Sequence, residues 1–498
     1  MHTKLPITER YPKALHPNGD VATDSPSWVQ SIDNPYLHGL FAPVTTEHSF
    51  DDLQVTFGAI PEQLAGAYFR NGPNQIHKPN DRYHWFDGDG MVHGIWFEGG
   101  KARYKNAFVQ TKGRKLEAEK GESIYNGVLG PFDFSLPGGP LKDTGNTDLI
   151  YWQDKLLALW YESGHPKVLE AENLTPSKEQ SATLQQLSSV GRISAHSKVD
   201  PHTGDLCWFS YGLKAPYMKA GIIKADGTTI SSPVPLPGPR RPHDIGITDN
   251  FLILHDFPIF HDEAVFKKTG KRIPVFHPDV PTRFAILPRA GGEPRWFEAE
   301  PCYMLHVIGA WEEDNKVIMV GCRQPHFNLS PNKENGKLAM MLAALTLHAS
   351  VYQWTFDLDT GLTSEKALDD SFTEFPTMHP MTTSKKVRYT YLQEIPVEVP
   401  VTFEALVKLD ISTGEKQRFA YGKGLYGSES PFVPRPGATA EDDGWVVSFI
   451  TDTNDWSSAC WIFDGQDITK GPICKINIPA RIPAGFHATF VPKADDQA

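Results

Sequence analysis

What this chain of 498 residues lacks narrows its function before any motif is read. Cysteine is scarce. The five, at positions 207, 302, 322, 460 and 474, are scattered and form no C-x-x-C pair, which excludes a disulfide framework and points to buried reduced thiols. No apolar run reaches the roughly 18 residues that suggest a spanning helix, and the opening stretch MHTKLPITERYPKALHPNGD has no signal-peptide core. A cytoplasmic protein is expected. Basic charge is short too: 48 Lys and Arg against 60 Asp and Glu give a formal net charge of −12, so no patch suits nucleic acid. Strand–GxGxxG–helix and Walker patterns are missing, and with them the usual nicotinamide and ATP sites.

What is plentiful is turn chemistry. With 41 Gly and 41 Pro spread along the chain, many short strands are favoured over long helices. Alternating runs separated by Asp-Gly and Thr-Gly pairs recur, as in VYQWTFDLDTGLTSE, ALVKLDISTGEKQRFAYG and CWIFDGQDI, and each reads as a hairpin. Their recurrence from about residue 90 onward predicts an all-β fold, a seven-bladed β-propeller of about 60 residues per blade with long inserted loops. First and last strands should lie together, because closure protects the edges. We expect an arm over residues 1–48 and a single propeller domain over 49–498, with a dome of loops and helix over one face. YFRNGPN and HWFDGDGM read as tight turns, their spacing fitting neither an EF-hand nor a P-loop. Residues 125–143 form a Gly/Pro-broken apolar loop suited to a pocket wall. Residues 337–350, KLAMMLAALTLHAS, are the best helix candidate, a lid over the propeller face.

Of nineteen histidines, four share a setting: His196 in ISAHSKVD, His243 in RPHDIGITDNF, His306 in CYMLHVIGAWEED and His487 in PAGFHATFVP. Each lies among apolar or small residues just before or within a strand-like run, and they are far apart along the chain. One imidazole from each of four blades would meet on a propeller axis without any local ligand motif. An all-imidazole set suits Fe, Zn, Cu or Ni. Such ligands need acceptors on their other ring nitrogen, and Glu162, Glu374 and Glu429, each set among apolar, Pro or Gly residues, are the candidates.

These residues carry a resemblance. RNGPN, HWFDGDGM, SAHSKVDPHTGDL, RPHDIGITDNF, CYMLHVIGAWEED, SESPFVP with EDDGW, and PAGFHATFVP, in this order over about residues 50–495, resemble the carotenoid cleavage oxygenase family. The resemblance implies a propeller with a helical dome and Fe(II) held by His196, His243, His306 and His487, with Glu162, Glu374 and Glu429 behind them. It implies O₂-dependent scission of a carbon–carbon double bond into two carbonyl products. Gly309 departs from the family's pattern, which has Asn after the third histidine.

Two substrate branches follow. Phenolic stilbenes or phenylpropenes are expected, with carotenoids or apocarotenoids as the alternative. For a phenol, Lys142 resembles the lysine of the stilbene-cleaving branch, and burial could lower its pKa towards use as a base. Tyr104 or Phe108 takes the phenol-contact position, and Phe69 stacks on a ring. The partners expected are a small alkene and O₂, with no transmembrane segment, in a monomer or homodimer. A metal-dependent propeller hydrolase and a non-catalytic propeller are the competing classes, separable by O₂ uptake and by metal content.

Overall fold

Along strand after strand the burial alternates with the pleat, as in Lys101–Phe108, where every second side chain is buried. The strands so patterned form seven antiparallel sheets arranged as the blades of a propeller, plus a two-stranded hairpin, Ile259–His261 with Pro274–Phe276. A computed structural model describes residues 24–178, 181–261, 263–270, 274–326 and 331–493. Four short α-helices occur among them.

The strands nearest the axis are Ala488–Pro492 in the first blade, then Asp148–Trp152, Lys198–Val199, Gly246–Ile247, Tyr303–Glu313 and Thr373–Met378 in the next five. The seventh blade presents Leu425–Tyr426 and Phe432–Pro434. Several of these inner strands touch the inner strand of the next blade, closing a ring. Seven apolar cores fill the clefts between neighbouring blades, one per cleft. Trp152, Trp208, Trp354 and Trp445 are wholly buried there, and truncating any of them would cost about 3–5 kcal/mol. The ring is fastened twice. Ala488–Pro492 pairs with Gly66–Asn74 in the first blade, while Val55–Gly58 adds an outer strand to Pro472–Ile478 in the seventh. The expected closure of first and last strands is therefore present, and it leaves few bare edges.

Residues 24–48 lie over the face of the ring. Tyr36, Leu37 and Phe41 join Trp85, Phe375 and Phe486 in an eighth core that roofs the axis. Arg481 ties this segment down through Ala42 O at 2.7 Å and Asp24 at 2.9 Å. Residues 1–23, also assigned to the arm, lie outside the described residues.

Two local expectations are corrected. The Asn-Gly-Pro sequence is no turn: it lies inside the nine-residue strand Gly66–Asn74, paired with Asp89–Glu98. Gly72 serves close approach, since a Cβ there would stand 2.7 Å from Gly485 Cα. The helix over 337–350 is shorter, Ala339–Ala344, preceded by a 3₁₀ segment, Lys333–Leu338, that breaks at Gly336. It stops because Leu345 and Leu347 turn into the roof core and Ser350 opens a strand.

Candidate metal centre

The seven innermost stretches each deliver one polar side chain to the axis. His487, His196, His243 and His306 come from the first, third, fourth and fifth blades, Glu374 and Glu429 from the sixth and seventh, and Asp148 from the second. Ring centroids of His196 lie 4.8 Å from His243, 4.9 Å from His306 and 4.5 Å from His487, and His306 is 4.6 Å from His487. The nitrogens of His196, His243 and His306 fall within 4.8 Å of one another, a separation one cation can bridge.

The backbone is bent to make this possible. His196 has φ of +64°, a left-handed conformation costly for a residue with a side chain, and its main-chain N–H donates to Asp148 Oδ2 at 2.9 Å. His306 sits in a strand whose pairing slips between Met304 and Val307 and again before Gly309, and the Val307 N–H donates to Asp244 Oδ2 at 2.7 Å. Asp244 is itself ion-paired to Lys198. His487 is pinned through its carbonyl, which accepts from Asn71 N–H at 2.9 Å.

The other imidazole nitrogens are held by carboxylates. Glu374, with no exposed surface, bonds His306 Nδ1 and accepts from Phe375 N–H at 2.7 Å. Glu429 Oε1 lies 3.0 Å from His487 Nδ1 and its second oxygen accepts from Ala488 N–H. Glu162 lines the same cavity as His243, its carboxylate 3.8 Å from the Arg241 guanidinium.

Burial, with the neighbouring imidazoles, holds His196, His243 and His306 well below the usual histidine range, so each is a neutral lone-pair donor at pH 7. Burial lifts Glu374 to about 8. On His487 burial acts downward, but the charge of Glu429 and the bond to it outweigh this and the net shift is upward; a dication at the centre would oppose it. The donor set fits a metal. His196 Nε2 and His306 Nε2 are buried with no hydrogen-bond partner among the described residues, an expensive state for a polar atom unless a cation takes the lone pair.

Above the cluster a cavity of about 260 Å³ reaches His243. Leu305, Met341, Leu345 and Leu347 supply apolar wall, and Arg241, Tyr161 and Tyr303 supply polar groups. The three expected substrate contacts do not line it. Phe69 is fully buried between the first two blades, edge-on to Trp96 at 5.3 Å. Tyr104 is buried between blades one and seven, its hydroxyl 2.7 Å from His93 Nδ1, and Phe108 lies in a small core under Arg114. Both follow from strand Lys101–Phe108, whose buried face turns into the blade packing rather than to the axis.

Lys142 borders a separate small pocket, paired with Glu117 at 2.8 Å and Asp89 at 3.1 Å. Burial alone would lower its pKa, but the two carboxylates together outweigh it and the net shift is upward. It is a locked ammonium, not the lowered base expected from the sequence. The loop over 125–143 does wall both pockets, through Tyr125 in the smaller and Val128 and Leu129 in the larger. Gly309 faces Val387, which a Cβ would approach to 3.0 Å.

Asp148, Asp244 and Arg241 were not singled out from the sequence. Asp148 reads there as an ordinary first residue of a strand, and the Asp following His243 was the available hint.

A ring of blades with imidazoles converging on its axis and a largely apolar cavity above them defines a propeller metalloenzyme. The model of the Retinal pigment epithelial membrane protein family matches residues 41–492. The carotenoid 9,10(9',10')-cleavage dioxygenase of Crocus sativus is 35% identical over 92% of this chain and 89% of its own. Among solved structures, Pseudomonas brassicacearum lignostilbene dioxygenase superposes with a TM-score of 0.79, 25% identity, and coverage of 95% of this chain and 100% of that one. Cobalt-substituted apocarotenoid oxygenase of Synechocystis gives 0.79, 27%, 91% and 97%. The chain belongs to this family, that of the carotenoid cleavage oxygenases, and is an alkene-cleaving dioxygenase.

Proposed function

We propose that the protein cleaves one double bond of a long apolar polyene, of the carotenoid or apocarotenoid kind, consuming one O₂ and giving two carbonyl products. The observation that carries this reading is the cavity at His243, walled mainly by aliphatic side chains, with Lys142 outside it and held by two carboxylates. A phenolic substrate would want a free base within reach of its hydroxyl, and this lysine is not free. The lignostilbene dioxygenase likeness keeps a stilbene as the second reading.

His196, His243 and His306, with His487 against two of them, would hold ferrous iron, with Glu374 and Glu429 fixing the tautomers of two of the four and Glu162 in the cavity wall with His243. When bound, iron supplies the redox chemistry that lets O₂ react with a closed-shell alkene. The chain's own part is to orient and to exclude water. The apolar wall lays a conjugated chain beside the cluster and confines which bond comes into reach. The roof formed by Phe375, stacked on His487 at 4.9 Å, and Phe486 keeps the axis dry.

Incubating iron-loaded protein with an apocarotenoid aldehyde, resveratrol and isoeugenol, with O₂ uptake and product mass spectra recorded side by side, tests this. Aldehyde pairs from the polyene alone, at one O₂ per turnover, are expected. Turnover of the phenols only would overturn the polyene reading, and products without O₂ uptake would overturn oxygenase chemistry.

A further inference from the structure

The cavity contains a cation that the metal centre does not require. Arg241 lies two residues before His243, and Pro242 between them disfavours helix at Arg241, so both side chains belong to one extended stretch. Two extended residues span at most about 7 Å, which puts the Arg241 backbone one short segment of a conjugated chain from the ligand. Both residues line the cavity.

Arg241 is only loosely engaged by the protein. Its Nη2 stands 3.8 Å from Glu162 Oε1, close enough to balance charge but too far for a hydrogen bond. Its Nε is buried and has no hydrogen-bond partner among the described residues. A guanidinium in an apolar wall is costly, and a planar fork with an unused donor is suited to a planar oxygen acceptor. The sign of that acceptor follows from the charges. Among the described residues Arg241 and Glu162 sum to zero, and Glu374 and Glu429 would be balanced by a dication on the axis. A carboxylate ligand would add an unbalanced negative charge, whereas a neutral carbonyl oxygen accepts from Nε without one.

We propose that Arg241 is the specificity-determining residue of the cavity, donating through Nε to a neutral carbonyl oxygen of the substrate. The protein then selects oxygenated polyenes, aldehydes or ketones, over polyene hydrocarbons. This rests on the polyene reading above. It is also distinct from a purely structural role, in which Arg241 only holds Glu162 in place beside His243.

The test measures binding under anaerobic conditions, by quenching of tryptophan fluorescence, with two probes: an apocarotenoid aldehyde and a polyene hydrocarbon of the same length. Wild type should bind the aldehyde about ten- to a hundredfold more tightly, the worth of a hydrogen bond from a charged donor. Arg241→Met should lose that preference while its affinity for the hydrocarbon and its metal content stay within about twofold of wild type. Arg241→Lys keeps the charge but not the fork, and should recover Glu162 pairing without recovering the preference. Equal weakening towards both probes, or loss of metal in Arg241→Met with full rescue by Lys, overturns the proposal in favour of the structural role. Wild type binding both probes equally overturns it while leaving the polyene reading intact. Wild type binding neither overturns that reading.

Discussion

Replacing Lys142 by Met separates a structural lysine from a catalytic one. Its side chain is 6% exposed and its ammonium lies within 3.1 Å of both Asp89 and Glu117, each 2% exposed. Removing one member of such a buried set leaves carboxylate charge without a partner, at about 3–5 kcal/mol. Unfolding entropy of about 2.1 cal/mol/K per residue gives about 1 kcal/mol/K for 498 residues, so the midpoint of thermal unfolding should fall by about 3–5 °C. The pH window in which stability is lost should also move, from the alkaline range to the mildly acidic one, with the same sign. In the wild type, raised Lys142 contributes stability that is complete below the ordinary lysine value and is lost as pH climbs through its higher folded value. In the variant, Asp89, already raised by burial and now without the Lys142 charge that opposed this, takes up a proton more readily folded than unfolded. The Asp89 contribution is then complete below the unfolded carboxylate value, about 4, and is lost as pH rises towards neutrality. Scanning calorimetry at pH 5 and pH 7.5, with Lys142→Met/Asp89→Asn/Glu117→Gln as the charge-free control, reads both effects. An unchanged midpoint, together with turnover lost on a phenolic alkene but not on its methyl ether, would refute the argument and restore Lys142 as a base.

Glu374→Gln, which keeps the shape but replaces the carboxyl group bonded to His306 Nδ1, should weaken metal binding about 10- to 100-fold, measured by competition with a chelator. Loss of the ligand itself in His306→Ala should leave purified protein with little metal by mass spectrometry, and full occupancy would remove His306 from the site. Gly72→Ala should lower the unfolding midpoint by about 1–3 °C, the cost of overpacking about 1–3 kcal/mol where the new methyl meets Gly485, and reduce metal content because Asn71 next door pins His487. All five cysteines are buried, so a thiol reagent should label none in the folded protein and five in denaturant; rapid native labelling would contradict the packing between blades.

The propeller was legible because hairpin turns and alternating strands are local signals, and each of the seven clefts is filled by residues that the pleat directs inward. The imidazoles were legible as types in similar surroundings, although their meeting on an axis is written in closure rather than in spacing. Other features were hidden for definite reasons. The Asn-Gly-Pro run looks like a turn because the Gly485 backbone that demands Gly72 lies some four hundred residues away. Phe69 and Tyr104 resemble ring contacts by type, but which face of a strand looks to the axis depends on register with partners. Lys142 reads as a candidate base until Asp89 and Glu117, from separate elements, close on it. Asp148 and Asp244 act mainly on main-chain N–H groups, a role that any acidic residue at a strand start could fill.

The order in which the axis fills has a consequence for how the protein acquires its ion. His196, His243 and His306 emerge from the ribosome well before His487, and the inner edge of Gly66–Asn74 stays bare until the strand after residue 487 arrives to cover it. The fourth imidazole can therefore join the other three only when this strand pairs, so closing the ring and completing the cluster are a single event.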